Sequence, residues 1–209
     1  YELKTNERNI FKQMLIYRKR KFLQIVYSLL CSLIFLTLSF QAICIAKSLV
    51  YFSVYDDPEA VIIEHLKRAE LSIHIAMYYL TDSQISQEVV NAKNRGVELK
   101  IYLDCSQIDD KYSKSRFFIN EGIKNIRISS NSNLMHNKFA IIDNNIVLTG
   151  SYNWTASASE RNDENLLVVD DETIVQRYQD YFNFLWEEKY SADKYQELMN
   201  HPGVHLTTD

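Results

Sequence analysis

His136-Asn137-Lys138 places an imidazole and an ammonium two residues apart, just ahead of an apolar run, in a chain of 209 residues. At the start of a strand, the two-residue side-chain period aims both to the same side. The pair suits phosphoryl chemistry. A neutral imidazole can attack phosphorus, and a nearby ammonium can hold the anionic oxygens whose charge needs stabilising in the transition state. Asp143 follows after four intervening residues, and Gly150-Ser151-Tyr152-Asn153 after six more. Ser151 and Asn153 can donate hydrogen bonds to phosphate oxygens, and Gly150 permits close backbone approach.

The elements that must position these groups are written as alternating apolar patterns. YFSVY (51–55) reads as a strand, Asp57-Pro58 opens a helix running to about Ala69, and LSIHIAMYY (71–79) is a buried strand. A helix over 83–95 stops at Gly96, VELKIYL (97–103) is the next strand, and a helix near 113–121 stops at Gly122. A short strand at 124–128 precedes KFAII and IVLTG, which Asp143-Asn144-Asn145 joins as a hairpin. NLLVV (165–169) is a further strand, and a last helix from about Glu172 to Glu188 shares Ile174, Tyr178, Tyr181, Phe182 and Leu185 on one face. The predicted class is α/β: an α/β/α sandwich on a mixed β-sheet, preceded by an N-terminal hydrophobic helix.

With 46% apolar and 12% aromatic residues the chain can bury one sizeable core. Residues 1–46 hold seven of the 23 Lys/Arg but two of the 27 Asp/Glu, which leaves 16 bases and 25 acids, a balance of −9, in the remainder. That balance argues against broad, tight binding to duplex DNA through its phosphates, while leaving room for a local basic cleft. Lys111, Lys114 and Arg116 in the loop 105–116 either line such a cleft or are simply solvated. Cys31, Cys44 and Cys105 form no CxxC pair and no disulfide framework. His74 lies in an apolar strand and reads as a core or near-site residue, while His65, His201 and His205 lack metal-ligand spacing. Tyr152 and Trp154 either pack beneath the motif or offer it a stacking surface.

Arg18-Lys19-Arg20-Lys21 precedes an uncharged run, 22–46, long enough to span a bilayer as a helix with its basic end held in the cytoplasm. The run is either an uncleaved anchor or a signal peptide cut after the small residues at Cys44-Ile45-Ala46. Met14, just ahead of the basic cluster, would make a conventional start. The division expected is a basic region over 1–21, a transmembrane anchor or signal peptide over 22–46, and a catalytic domain over 47–209. That domain would lie on the non-cytoplasmic side of the membrane, or be secreted or periplasmic after cleavage.

HNKFAIIDNNIVLTGSYN (136–153) spells HxK, four residues, D, six residues, GSxN, and with these six positions the chain resembles the phospholipase D superfamily. SIHIAMYYLTDSQISQEVVNAKNRGVELKIYLD (72–104) and SYNWTASASERNDENLLVV (151–169) look like the corresponding stretches of bacterial Nuc-type endonucleases, so the likeness covers about 50–188. The mitochondrial cardiolipin hydrolase/Zucchini branch shares this single-domain plan, but the cysteine-rich zinc insertion often seen there is not found here. The resemblance implies that His136 is the nucleophile, forming a phosphohistidine, and that Lys138 and Asn153 bind phosphate with Ser151 in support. It implies that Glu164 orients the imidazole, and that Asp143 serves the catalytic motif by fixing its geometry rather than by moving protons. It implies neither metal nor cofactor. One HKD motif supplies one histidine where the mechanism needs a second to protonate the leaving oxygen, so the family implies a homodimer sharing one active site. The function expected is metal-independent phosphodiester hydrolysis, foremost by an endonuclease on DNA or RNA. A phospholipase D or cardiolipin-type lipid hydrolase using the same residues is the alternative, and a non-catalytic membrane-surface binding module is the third.

Overall fold

The computed structural model describes residues 2–39, 48–130 and 133–203. Contacts divide the chain into two units, 1–45 and 46–209. Among its described residues the first holds one helix, α1 (Glu2–Ser39), which carries the basic cluster mid-way along its length. The hydrophobic helix expected to start at residue 22 and cross a membrane is not supported: no helix among the described residues is long and apolar enough to do so. Residues 40–46 of the expected span lie outside the described residues, and the part inside α1 runs on from Arg18–Lys21 and is broken by Gln24 and Ser28.

The second unit is built on a seven-stranded mixed sheet with the order β1-β7-β6-β5-β2-β3-β4. Its strands are β1 (Leu49–Phe52), β2 (Ser72–Met77), β3 (Glu98–Leu103), β4 (Ile126–Ile128), β5 (Lys138–Ile142), β6 (Ile146–Gly150) and β7 (Asn165–Val169). β2, β3 and β4 pair parallel, and all other pairs are antiparallel. The helices are α2 (Pro58–Arg68), α3 (Ser83–Asn94), α4 (Ser115–Asn120), α5 (Ala156–Glu160), α6 (Glu172–Glu188) and α7 (Ala192–Met199).

Side-chain alternation along the strands makes two cores. Ile73, Ile75 and Met77 of β2 join Ile62 and Leu66 of α2 and Ile85 and Val89 of α3. On the other face Ala76, Phe139, Ile141 and Val147 join Val175, Phe182, Leu185 and Trp186 of α6. Burying each large apolar side chain of this kind is worth about 1.5–3 kcal/mol, so both helical layers are held to the sheet along their length. Asp57 caps α2 through Ala60 N–H at 3.0 Å, with Pro58 at the first helical position, as the sequence predicts. Asp82 and Asp171 do the same for α3 and α6.

Three expectations need correction. The buried stripe of α6 is Val175, Phe182, Leu185 and Trp186 with Tyr178 half-buried, and Ile174 and Tyr181 are exposed, so the face is turned by about one residue. The first strand is 49–52 rather than 51–55, because pairing with β7 and not apolar content sets its ends. The chain does not close on α6 either: Ser191 caps α7 through Lys194 N–H, and Leu198 of that helix is buried in the first core.

The hairpin between β5 and β6 forms as expected. Asp143 and Asn144 both have left-handed backbones (φ 53° and 52°), and Asn145 N–H donates to Ile142 O at 2.9 Å. Positive φ at both central positions of the Ile142–Asn145 turn suits the strand twist, and Ile142 pairs with Ile146 across the three-residue connection.

Candidate active site

Strand register brings four segments to one edge of the sheet. Met77 lies opposite Lys138, Phe139 opposite Thr149, and Gly150 opposite Leu166. The residues just beyond these ends, Tyr78, His136, Ser151 to Asn153 and Glu164, therefore gather together with Lys138. β5 begins at Lys138, so His136 stands in the loop ahead of the strand, and strand alternation is not what aims it.

Backbone contacts on three consecutive residues hold that loop instead. Met135 N–H donates to a carboxylate oxygen of Asp104 at 2.9 Å. Tyr78 N–H donates to Asn137 O at 2.8 Å, and Lys138 Nζ donates to His136 O at 2.8 Å. The His136 ring is exposed and lies 4.5 Å, centroid to centroid, from the ring of Tyr78. Lys138 Nζ sits 4.9 Å from the centre of the same ring, within cation–π range. Imidazole and ammonium thus both lie against the Tyr78 ring. Burial pushes the Lys138 ammonium below its ordinary value, and the negative charge of Glu164 opposes that shift.

Gly150 is where the GSxN stretch turns into the site. Its φ is 146°, and a Cβ there would run into the backbone carbonyl oxygen of Asn165, so no other residue fits without moving β7. Ser151 Oγ donates to one oxygen of Glu164 and accepts from Asn165 N–H at 3.1 Å. The other Glu164 oxygen accepts from Asn162 Nδ2 at 2.9 Å. Glu164 is thereby fixed beside Ser151 and within electrostatic reach of Lys138, and no hydrogen bond among the described residues joins it to His136. Asn153 accepts from Tyr79 N–H through its side-chain oxygen at 3.3 Å, which leaves its amide N–H₂ without a partner among the described residues.

Asp143 is not brought to this edge. It lies five strand steps from Lys138, about 16 Å at ~3.3 Å per residue. Its carboxylate accepts from the backbone N–H groups of Glu70, Leu71 and Ser72, the shortest at 2.7 Å, and so ties the hairpin turn to the start of β2. Its place in the motif is that of a turn anchor.

The aromatic neighbours settle as packing. Tyr152 and Trp154 are each 2% exposed, within the first core. His74 is buried under α6, stacked on Phe182 with Nδ1 3.0 Å from Gln179 Oε1, and burial lowers its pKa. No described contact links it to His136. His65 bonds Val61 O, His201 pairs with Arg116, and His205 lies outside the described residues.

A cleft of about 810 Å³ opens beside Asn153 and Tyr79. Lys111, Tyr112, Lys114, Phe117 and Arg161 line it, so two of the three cations of the 105–116 loop border a cleft that reaches the site at Asn153. Arg116 instead donates to Ile108 O and Asp110 O. Lys111 Nζ lies 4.7 Å from the Tyr112 ring centre, which pairs a cation with a 65% exposed aromatic. The unit is acidic in sum and basic here. Among the described residues no group of three or more His, Cys, Asp or Glu gathers as a metal ion would need.

Sequence reasoning missed Tyr78, Asp104 and Arg161. Tyr78 and Asp104 each follow an apolar run at the carboxyl end of a parallel strand, β2 and β3. Open α/β sheets collect their sites at that edge, which was the available signal. Arg161 follows the short helix α5, which was not foreseen.

Comparison with known proteins follows the same geometry. Residues 62–186 match the family model described as cardiolipin synthase, PLD-like domain. Phospholipase D from Rickettsia typhi is 37% identical over 123 residues, 58% of this chain and 60% of that protein. Mitochondrial cardiolipin hydrolase from Xenopus tropicalis is 34% identical over 123 residues, 59% of this chain and 58% of that protein. The chain thus spans about 60% of the length of these curated relatives. Among solved structures, Nuc from Salmonella typhimurium, a phospholipase D family member, superposes with a TM-score of 0.65 at 28% identity, covering 69% of this chain and 96% of that one.

Proposed function

The chain belongs to the phospholipase D-like family, and from that premise we propose that it hydrolyses phosphodiesters through a phosphohistidine on His136, foremost in DNA or RNA. In the first step a ring nitrogen of His136 bonds to phosphorus as the leaving oxygen departs and takes a proton from a second imidazole. In the second step, water attacks the phosphohistidine, that imidazole takes the water's proton, and the nitrogen–phosphorus bond breaks. Lys138 and the amide of Asn153 hold the non-bridging oxygens, and Ser151, locked to Glu164, supports them.

The observation that carries this reading is the meeting of an exposed imidazole and a buried ammonium on the Tyr78 ring. The nucleic-acid preference rests on the cleft, where Lys111, Lys114 and Arg161 stand among Tyr79, Tyr112 and Phe117. Cations that track phosphates beside aromatic faces that take bases are the combination single strands require. Lipid hydrolysis is the second reading, favoured by relatives named phospholipase D and mitochondrial cardiolipin hydrolase. A place for the catalytic unit on the non-cytoplasmic side of a membrane, or its secretion, stays part of the proposal.

The full chain should be assayed on single-stranded DNA, RNA, duplex DNA and anionic phospholipid vesicles in excess chelator. Cleavage of single strands with chelator present is the expected result. Turnover of phospholipid alone would replace the nucleic-acid reading, and activity that only added zinc or magnesium restores would overturn the metal-free one.

The second histidine is proposed to come from a second copy of the chain. Excess His136→Ala chain mixed with wild type, under conditions of confirmed subunit exchange, should lower activity per wild-type chain in step with the mutant fraction. Constant specific activity would mean that each chain holds a complete site.

A further inference from the structure

We infer that Asp104 is a positioning residue for the nucleophile, acting through the backbone of Met135. It follows β3 directly and is fully buried. No hydrogen bond or ion pair among the described residues joins its carboxylate to His136 or Lys138. One oxygen accepts from Ser106 N–H at 3.0 Å, and the other accepts from Met135 N–H at 2.9 Å with Ser129 Oγ at 3.5 Å.

The energetics make this placement informative. A buried carboxylate is costly unless paired and hydrogen-bonded, and Asp104 forms no ion pair among the described residues. Its compensation comes from N–H and O–H donors, with the Cys105 thiol at 3.9 Å. Capping the 3₁₀ turn Cys105–Gln107 uses one oxygen, a job that a Ser or Asn also does at an exposed position. The second oxygen reaches across the sheet edge to the residue before His136. There it fixes one side of a loop whose other side is fixed by Tyr78 N–H on Asn137 O. With both flanking peptides held, the His136 backbone has little freedom, and the ring is kept over Tyr78. Attack on phosphorus requires the nitrogen within a few tenths of an ångström of its line of approach, and a misplacement of about 1 Å costs on the order of 100-fold.

This inference rests on His136 being the nucleophile, so its test includes a readout that needs no turnover. In the full chain, Asp104→Ala should lower kcat by about 100-fold with KM within a few-fold, since binding residues are untouched and attack geometry is not. Asp104→Asn keeps the volume and one acceptor, and should fall between Asp104→Ala and wild type. Amide hydrogen exchange supplies the independent measurement: the Met135 N–H should exchange much faster in Asp104→Ala, while the amides of β2 and β5 keep their wild-type protection. Should the alanine variant fail to fold, the isosteric Asp104→Asn carries the same two measurements. Unchanged kcat together with unchanged Met135 exchange, in whichever variant folds, overturns the role. Loss of protection throughout β2 and β5 also overturns it, because Asp104 would then hold the fold rather than the loop. If wild type hydrolyses no diester at all, the nucleophile reading fails by itself, and the exchange data still decide whether Asp104 holds the loop.

Discussion

His136→Ala is expected to reduce diester hydrolysis by roughly 10⁴-fold or more while leaving the thermal melt unchanged. The reason for the unchanged melt is local. The ring is exposed, makes no hydrogen bond to a described residue, and touches only the Tyr78 ring among the aromatic contacts. Removing it opens no core cavity, and surface changes of that kind stay within about ±0.5 kcal/mol. The reason for the lost rate is chemical. No described histidine is placed to substitute: His74 is buried beneath α6 with its pKa lowered, and His65 and His201 are engaged elsewhere. Circular dichroism melts and initial rates at saturating substrate read the two halves separately. Retention of a tenth of the activity would remove His136 from the role of nucleophile, and a lowered melt would mean that the ring supports structure.

The site is legible in the sequence wherever a residue's role is local. The hairpin at Asp143-Asn144-Asn145 and the caps at Asp57-Pro58 are local, and both form as read. The motif's partition of labour is not local. Asp143 has the same chemistry as Glu164, and only the register of β5 against β2 shows that its carboxylate goes to the backbone of 70–72 rather than to the site. Glu164 was read as the partner of His136, yet its two oxygens go to Ser151 and Asn162. Tyr78 was read inside the buried strand 71–79. β2 ends at Met77, and that single step turns the next ring into the floor on which His136 and Lys138 meet. The same one-residue sensitivity explains the turned face of α6, since neighbouring helical positions differ by 100° and a stripe of alternating aromatics does not fix its own phase.

Lys138→Met is expected to cost about 10³-fold or more in kcat, again without loss of stability. Lys138 is 9% exposed, so a side chain of similar volume fills its place, and the variant no longer pulls an ammonium out of water. Its melting temperature should match or exceed that of wild type. The loss should fall on kcat more than on KM, because the oxygens it holds gain charge as the bond to phosphorus forms and breaks. Wild type carries a further signature. Burial moves the ammonium below its ordinary 10.5, so its charge is lost as pH rises at a lower pH than the charge of a free lysine. The alkaline limb of the wild-type rate profile should therefore lie at lower pH than a free lysine would give, and the residual activity of Lys138→Met should lack that limb. A rate within tenfold of wild type would show that the ammonium does not hold the reacting phosphate. An alkaline limb identical in both proteins would assign the titration to another group, with Tyr78, whose hydroxyl burial pushes upward, the first to test by Tyr78→Phe.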